Sequence, residues 1–391
     1  MKSVRDITVA GRRVFVRVDY NLPMDEKGHI TDDNRILQTL DLIAYLQDRG
    51  ARIILASHMG RPKNGYEKRF SLALVAEHLS GLLGHKVQLA DDCIGTAVQE
   101  QVARLHDGDI LMLENLRFHK QEKSNDPEFA KKLAALCDVY VNNAFAVSHR
   151  DQASVTGMVG HVPVAAAGFL LEREMKAYAD AFENPKRPVA AVIGGAKVSS
   201  KLAALENMLT VVDQMIIGGA MANTFLLSQG IDVKASLVEK ELSETAARII
   251  LKAREKSVEL ILPQDLVAAD SFAETAHKKS VALDAVPDGW MAMDIGPKTV
   301  DRFCQALAGA QTIVWNGPMG VFEMAPFMAG TCAVARAIAA AGAFSVVGGG
   351  DTGLAAKACG IAEQVSYVST GGGAFLHLME GKKLPGVIAL G

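Results

Sequence analysis

Across the first 150 residues, polar side chains suited to gripping an anion recur where apolar runs break. They are Asp19, Asn21, Arg35, His58, Arg61, Arg117, His149 and Arg150, in loops that follow expected strands or at helix starts. Arginine forks match phosphate and carboxylate oxygens, often two at a time. One loop arginine is ordinarily a solvated charge. Four arginines and a histidine at successive strand ends argue for a basic pocket, if those ends converge, holding a small, multiply charged anion.

In the second half, glycine takes over. Val189–Ile193 runs into Gly194-Gly195-Ala196-Lys197-Val198-Ser199-Ser200-Lys201, whose two lysines stand at i and i+4, on one face of an expected helix start. Their repulsion calls for an anion beside them, and the bland alternative is a lysine pair snorkelling on a surface, which the preceding strand and double glycine disfavour. No Walker A spacing occurs in the chain. Val346-Val347-Gly348-Gly349-Gly350-Asp351-Thr352-Gly353 reads as strand, glycine turn and helix, an order that aims backbone N–H groups at a phosphate. Taken literally, Gly348-x-Gly350-x-x-Gly353 is also a dinucleotide fingerprint, but the ribose acid expected about 20 residues on is missing. Position 368 is valine, and Glu363 comes too early. A carboxylate at Asp351 would repel a bound pyrophosphate unless a cation lay between them, and Mg²⁺ satisfies both partners. Asp351 as a plain helix cap is the bland alternative. Thr370-Gly371-Gly372-Gly373-Ala374-Phe375 forms a second glycine-rich helix start, either a cradle for a phosphoryl group in transfer or a flexible turn.

These loops need elements to carry them. Strand-like runs at Val14–Val18, Arg52–Ala56, Val87–Leu89, Ile110–Leu113 and Val139–Val141 alternate with helical spacing at Asn34–Leu46 and around residues 71–83, 94–105 and 127–137. That alternation predicts parallel βα units. Gly168–Phe182 shows an amphipathic stripe of Leu171, Met175, Tyr178 and Phe182, stopped by Asn184-Pro185-Lys186-Arg187-Pro188. It is either a bridge between two domains or another surface helix. Beyond it, strand runs at Val189–Ile193, Met215–Ile217, Glu259–Leu262, Thr312–Trp315, Ser345–Val347 and Val365–Ser369 mostly end in glycine or proline. Open α/β sheets bind ligands at those carboxyl ends. The fold class expected is α/β, two doubly wound domains with parallel sheets flanked by helices.

A chain of 391 residues predicts two or three domains. With 41 basic and 44 acidic side chains and a formal charge of −3, no global field recruits nucleic acid or an anionic membrane. The start of the chain lacks the apolar segment of an export signal, and apolar stretches such as Ala337–Val347 are too short to span a bilayer. Five cysteines, an odd number without a C-x-x-C, predict reduced and mostly buried thiols in a cytoplasmic protein.

Assembled in order, these motifs resemble the bacterial-type phosphoglycerate kinase family over essentially the whole chain. The resemblance is carried by Arg17–Pro23, Ser57–Pro62, Leu113–Phe118 and His149-Arg150, then by Gly194–Lys201, Asp294–Thr299, Trp315–Pro318, Gly320–Glu323, Gly348–Thr352 and Ser369–Ala374. It implies an N-terminal domain over residues 1–167, an interdomain helix at 168–185 and a nucleotide-binding domain at 186–370. A final segment, 371–391, is expected to return to the N-terminal domain. It implies that 3-phosphoglycerate is held by Asp19, Tyr20, Asn21, Arg35, His58, Met59, Gly60, Arg61, Arg117 and Arg150. ATP or ADP would meet Gly195, Lys197, Gly219, Asn316, Glu323, Gly349, Gly350, Asp351 and Thr352, with Mg²⁺ on Asp351. Three positions depart from the family pattern: Asn143 stands where aspartate is usual, Ala146 where glycine is common, and Ala220 in a run often of three glycines.

The reaction so implied is phosphoryl transfer between a carboxylate and a nucleotide, with 1,3-bisphosphoglycerate as the acyl phosphate. No general base is needed, because a carboxylate is already ionised at pH 7. Arg35, Lys197, the amides around Gly372 and, more weakly, Lys201 are the expected neutralisers of charge. Substrates held on two domains also require hinge closure, and the resemblance favours a monomer. Two rivals stay open at this point: a non-catalytic hinged binding protein and an NAD-dependent dehydrogenase.

Overall fold

The computed structural model describes residues 1–391 apart from Glu26, Lys27 and Asn64. The chain divides into two compact units, Met1–Met175 with Lys383–Gly391, and Lys176–Lys382.

The first unit is built on β1 (Arg13–Arg17), β2 (Arg52–Ala56), β3 (Val87–Leu89), β4 (Ile110–Met112), β5 (Val139–Asn142) and β6 (Val164–Ala167). They form one parallel sheet in the order β3-β4-β2-β1-β5-β6. Central strands covered on both faces read as continuous apolar runs, and Val14, Phe15 and Val16 of β1 are fully buried. The strand order reverses between β1 and β5, so the chain leaves these two strands in opposite directions and opens a crevice at their carboxyl ends. Residues Lys383–Gly391 belong to this unit: Gly386 N–H donates to the Ser148 carbonyl at 2.9 Å, and Leu384 is buried. The helix Gly372–Met379 belongs to the second unit.

The second unit contains β7 (Val189–Ile193), β8 (Gln214–Ile217), β9 (Glu259–Ile261), β10 (Asp265–Ala269), β11 (Lys278–Ala282), β12 (Met291–Ile295), β13 (Thr312–Asn316), β14 (Phe344–Val347) and β15 (Tyr367–Val368). Six of them make a parallel sheet, β15-β14-β13-β7-β8-β9, with its reversal between β7 and β13. The other three form a small antiparallel sheet, β11-β10-β12, which sequence periodicity did not reveal. β11 is largely exposed and reads Lys-Lys-Ser-Val-Ala, and the β10–β12 register shifts at Val267/Ala268, so no clean alternation exists to read.

Two expectations need correction. The helix expected over Gly168–Phe182 is α-helical over Phe169–Tyr178 and widens to a π turn at Ala179–Glu183, next to the prolines that end it. The cysteines are not all reduced: Cys332, on the helix Ala329–Ala340, is bonded to Cys359 at the end of the helix Asp351–Ala358. Their separation of 27 residues leaves no local spacing signal. Cys93 and Cys137 are buried thiols, and Cys304 is half-buried.

Candidate active site

At the reversal point of the first sheet, the loops after β1, β2, β4 and β5 bring together Asp19, Asn21, His58, Arg61, Arg117 and Arg150, with Arg35 from the short helix Asn34–Leu37. Arg35 is pinned from behind: one guanidinium nitrogen donates to Asp19 Oδ2 at 2.7 Å and to the Asn21 carbonyl at 3.1 Å. Asn21 Oδ1 in turn accepts from Gly60 N–H at 2.7 Å, and Gly60 carbonyl accepts from Arg117 at 2.9 Å. Arg117 is buried, and its Nε finds no partner among the described residues. A buried, unmatched cationic donor is costly unless a water or an anion supplies its acceptor. Burial, then the charges of Arg150 and Arg17, push the Arg117 guanidinium down to about 10. Burial also lowers Arg150, with Arg17 and Arg61 adding to it. So much mutual repulsion is relieved by a multiply charged anion.

His58 is held neutral: burial, then Arg17, Arg117, Arg150 and Arg35, depress it well below the ordinary imidazole range. Arg17 stands 3.3 Å from His58 Nδ1, and a guanidinium can only donate. Nδ1 is therefore the acceptor, and Nε2 carries the hydrogen.

At the reversal point of the second sheet, backbone replaces side chains. Gly195 N–H donates to the Pro318 carbonyl and Gly219 N–H to the Met319 carbonyl, both at 3.0 Å, lacing three strand-end loops together. Gly219 sits at φ +67°, and a Cβ there would lie 2.5 Å from Gly195 N. Gly349 presses nearly as close to Gly372 N, at 2.8 Å from where its Cβ would be, so the two glycine turns that open the helices Asp351–Ala358 and Gly372–Met379 touch. Two adjoining clefts of about 300 and 400 Å³ result, sharing Gly195, Ala196, Pro318 and Asp351. The first reaches Glu323 and the floor around Asp294; the second holds Lys197, Lys201, Gly350 and Thr352. Thr352 Oγ1 accepts from Gly317 N–H at 2.8 Å, and the exposed Asp351 carboxylate starts its helix.

The chain matches the family model for phosphoglycerate kinase over residues 4–382. A curated phosphoglycerate kinase of Desulforapulum autotrophicum is 63% identical over 390 residues, all of both chains, and that of Moorella thermoacetica 50% identical over 99% of this chain and 98% of its own. The solved phosphoglycerate kinase of Coxiella burnetii superposes with a TM-score of 0.91 at 44% identity, covering 99% of this chain and 98% of its own. That of Pyrococcus horikoshii gives 0.86 at 33% identity, over 100% and 98%. The chain belongs to the phosphoglycerate kinase family.

Several residues carried by the phosphoglycerate kinase motifs do not point into the pockets. Tyr20 is fully buried, its hydroxyl 2.7 Å from Thr39 Oγ1, and Met59 lies in the same apolar core. Both tie strand-end loops together through backbone: Tyr20 N–H donates to Ser57 Oγ at 2.8 Å, and Asn115 clasps Met59 N–H and carbonyl at 3.1 and 2.8 Å. Lys197 and Lys201 do not share a helix face, because the helix begins only at Leu202. Lys197 is exposed at the cleft. Lys201 turns inward, its three ammonium protons donated to the Gly194 carbonyl, the Asn316 carbonyl and Asn316 Oδ1 at 2.7, 2.8 and 2.5 Å. Burial pushes its amine down to about 8.

Sequence reasoning missed the frame behind His58. Arg17, fully buried, donates through Nε to Ser154 Oγ at 2.8 Å, and Ser154 donates to the fully buried Glu122 at 2.6 Å. Lys123 also feels Arg117, Arg61 and Arg150, which together with burial lower its pKa. In the second unit, Asp294 lies under the 300 Å³ cleft, accepts from Gly330 N–H at 2.7 Å and Ile295 N–H at 2.9 Å, and is raised by burial to about 7.

Proposed function

We propose that the chain catalyses reversible, Mg²⁺-dependent phosphoryl transfer between 1,3-bisphosphoglycerate with ADP and 3-phosphoglycerate with ATP, as a cytoplasmic monomer acting on small molecules. The observation that carries this reading is the orphaned Arg117 Nε in a pocket of converging cations. It supports an anionic substrate in the first unit, as the laced glycine turns support a nucleotide in the second.

In this reading the loops of the first unit grip 3-phosphoglycerate. Arg61, Arg117 and Arg150 supply charge, Asp19 and Asn21 hold Arg35 in place, and His58 donates through Nε2. The acceptor carboxylate is ionised without help, so catalysis reduces to alignment and to spreading charge over the moving group. Arg35 carries that role from the first unit, and Lys197 and the Gly372 amide from the second. Lys201 acts as a positioning residue, holding the Gly194 and Asn316 carbonyls so that Gly195 and Gly219 keep their amides aimed. Glu323 receives the ribose, and Gly349, Gly350 and Thr352 border the phosphates. Asp351 fits Mg²⁺: its exposed carboxylate offers hard oxygens where phosphates would otherwise be repelled, and a bound ion would offset their charge. Transfer between substrates held on separate units requires those units to close and to exclude water, with the segment Phe169–Glu183 as the natural hinge.

Mixing the protein with ATP, Mg²⁺ and 3-phosphoglycerate, with the acyl phosphate removed by a coupled reaction, should release ADP at a rate that depends on all three. Absence of ADP would sink the reading; a hydride-transfer signal with a nicotinamide would replace it with the dehydrogenase alternative.

A further inference from the structure

Outside the arginine pocket, the first unit gathers a second set of chemically active side chains that the phosphoryl-transfer reading does not use. Asp92 and Cys93 lie in the loop after β3, and His119 follows the turn Leu116–Phe118. One carboxylate oxygen, the thiol sulfur and one imidazole nitrogen all stand within 4.8 Å of one another. Among the described residues this is the one place where three such donors converge.

We propose that Asp92, Cys93 and His119 form a binding site for a borderline divalent cation of the Zn²⁺ class. His119 Nε2 lies 2.6 Å from Asp92 Oδ1, and Cys93 N–H donates to the same oxygen, also at 2.6 Å. The loop is thereby folded so that carboxylate, imidazole and sulfur face a common point. The proton between His119 and Asp92 occupies the place an ion would take, and binding an ion requires that pair to part from 2.6 Å. Tetrahedral zinc with Zn–S near 2.3 Å and Zn–N near 2.0 Å asks for donor separations of roughly 3.3–3.7 Å. The site is two-sided. Cys93 is fully buried, while the His119 and Asp92 side chains keep 26% and 47% of their surface. Entry is therefore from the carboxylate and imidazole side, and a water completes the coordination there.

The donor set excludes the ion proposed for Asp351. Mg²⁺ prefers an all-oxygen shell, whereas sulfur with imidazole selects Zn²⁺ or Co²⁺. Burial and the neighbouring carboxylates of Asp92 and Glu122 keep Cys93 a neutral thiol without an ion. Coordination reverses this by forming the thiolate, so each ion bound releases the Cys93 proton. His119 follows Arg117 by two residues, so the ion would tie the β3 loop to the turn that carries Arg117. The proposal does not depend on which reaction the protein catalyses.

The test is a titration of the purified full chain with Co²⁺ alone, followed by Zn²⁺. One Co²⁺ per chain should bind with a near-ultraviolet thiolate-to-cobalt band and the visible bands of four-coordination, and Zn²⁺ should erase both. Cys93→Ser should lose the thiolate band. His119→Gln, which keeps a polar side chain at this partly exposed position, should weaken binding by about tenfold or more. Excess Mg²⁺ should leave the spectrum unchanged. Absence of a thiolate band in the unaltered protein, its persistence in Cys93→Ser, unchanged affinity in His119→Gln, or displacement by Mg²⁺ would each overturn the assignment.

Discussion

The two parallel sheets gather, at the point where strand order reverses, opposite materials that each suit an anion. The first unit uses charged side chains: Arg35, Arg117 and Arg150 crowd together with Arg17 behind them, and burial with mutual repulsion drives Arg117 down to about 10. The second uses glycine backbone, with N–H groups that carry no net charge and close approaches that no Cβ would survive. Cations give strong attraction but need a rigid frame to hold them against one another. Amides need no charge balance, but they need the loops to stay laced. The first strategy is vulnerable through side-chain chemistry, and the second through volume and bracing.

The largest effect expected tests the first strategy. Arg35→Ala removes the cation that Asp19 and Asn21 aim, and should lower kcat by about 10²–10³ while the nucleotide KM stays within about twofold. Near-normal turnover in steady-state assays would take Arg35 out of the reaction.

Next comes bracing in the second unit. The Cys332–Cys359 bond ties the far end of the helix Asp351–Ala358, whose start is the glycine turn, to the helix Ala329–Ala340. By loop entropy over its 27-residue separation, Cys332→Ser should lower unfolding stability by about 3–4 kcal/mol. Denaturant titrations with and without reductant should show the loss in the unaltered protein on reduction and no further change in the variant. Volume comes third. Gly219→Ala forces a Cβ against Gly195 N, and should raise the nucleotide KM by about tenfold or more while leaving the 3-phosphoglycerate KM unchanged. An equal rise in both would erase the distinction between the two units.

The same contrast explains what could be read from the chain. Strand ends that break into arginine or glycine announce themselves, because each residue type has few other reasons to recur there. Direction is harder. Tyr20 and Met59 lie inside informative motifs yet face the apolar core, since alternate residues of an extended segment point to opposite sides. The frame behind His58 was invisible for another reason: Glu122 and Ser154 are 32 residues apart, and only the fold brings their oxygens to 2.6 Å. The antiparallel sheet β11-β10-β12 escaped because its outer strand is exposed and polar, and the Cys332–Cys359 bond because its partners come from two different helices.

That frame gives the fourth prediction. Ser154→Ala leaves the Arg17 Nε without its acceptor and Glu122 with only the backbone N–H of residue 154, and should raise the 3-phosphoglycerate KM by about tenfold, close to 1.4 kcal/mol, with the nucleotide KM unmoved. His58 should stay neutral in the variant, because burial and the charges of Arg117, Arg150 and Arg35 still hold it well below the ordinary imidazole range. The deficit should then keep its size between about pH 6 and 8. A deficit that shrinks as pH falls through that range would show that losing the Arg17 contact lets His58 take up a proton.

The smallest effect concerns Asn143, where the family pattern has aspartate. Asn143 Oδ1 accepts from Leu170 N–H at 2.9 Å and so caps the helix Phe169–Tyr178, but its Nδ2 is buried with no partner among the described residues. An orphaned donor is unfavourable, and a helix start favours negative charge. Asn143→Asp removes the donor and sets a carboxylate against the free N–H groups, offset in part by desolvation of the new charge. A net gain of about 1 kcal/mol is expected at pH 8, measured by denaturant unfolding. The sign of its pH dependence is fixed by the same contact. A carboxylate held by helix N–H groups has its folded pKa depressed, so the gain is present above the unfolded value near 3.9 and is lost as pH falls through the folded one. A variant less stable at pH 8 than the unaltered chain would show that desolvation wins, and that asparagine is the better residue in this fully buried position.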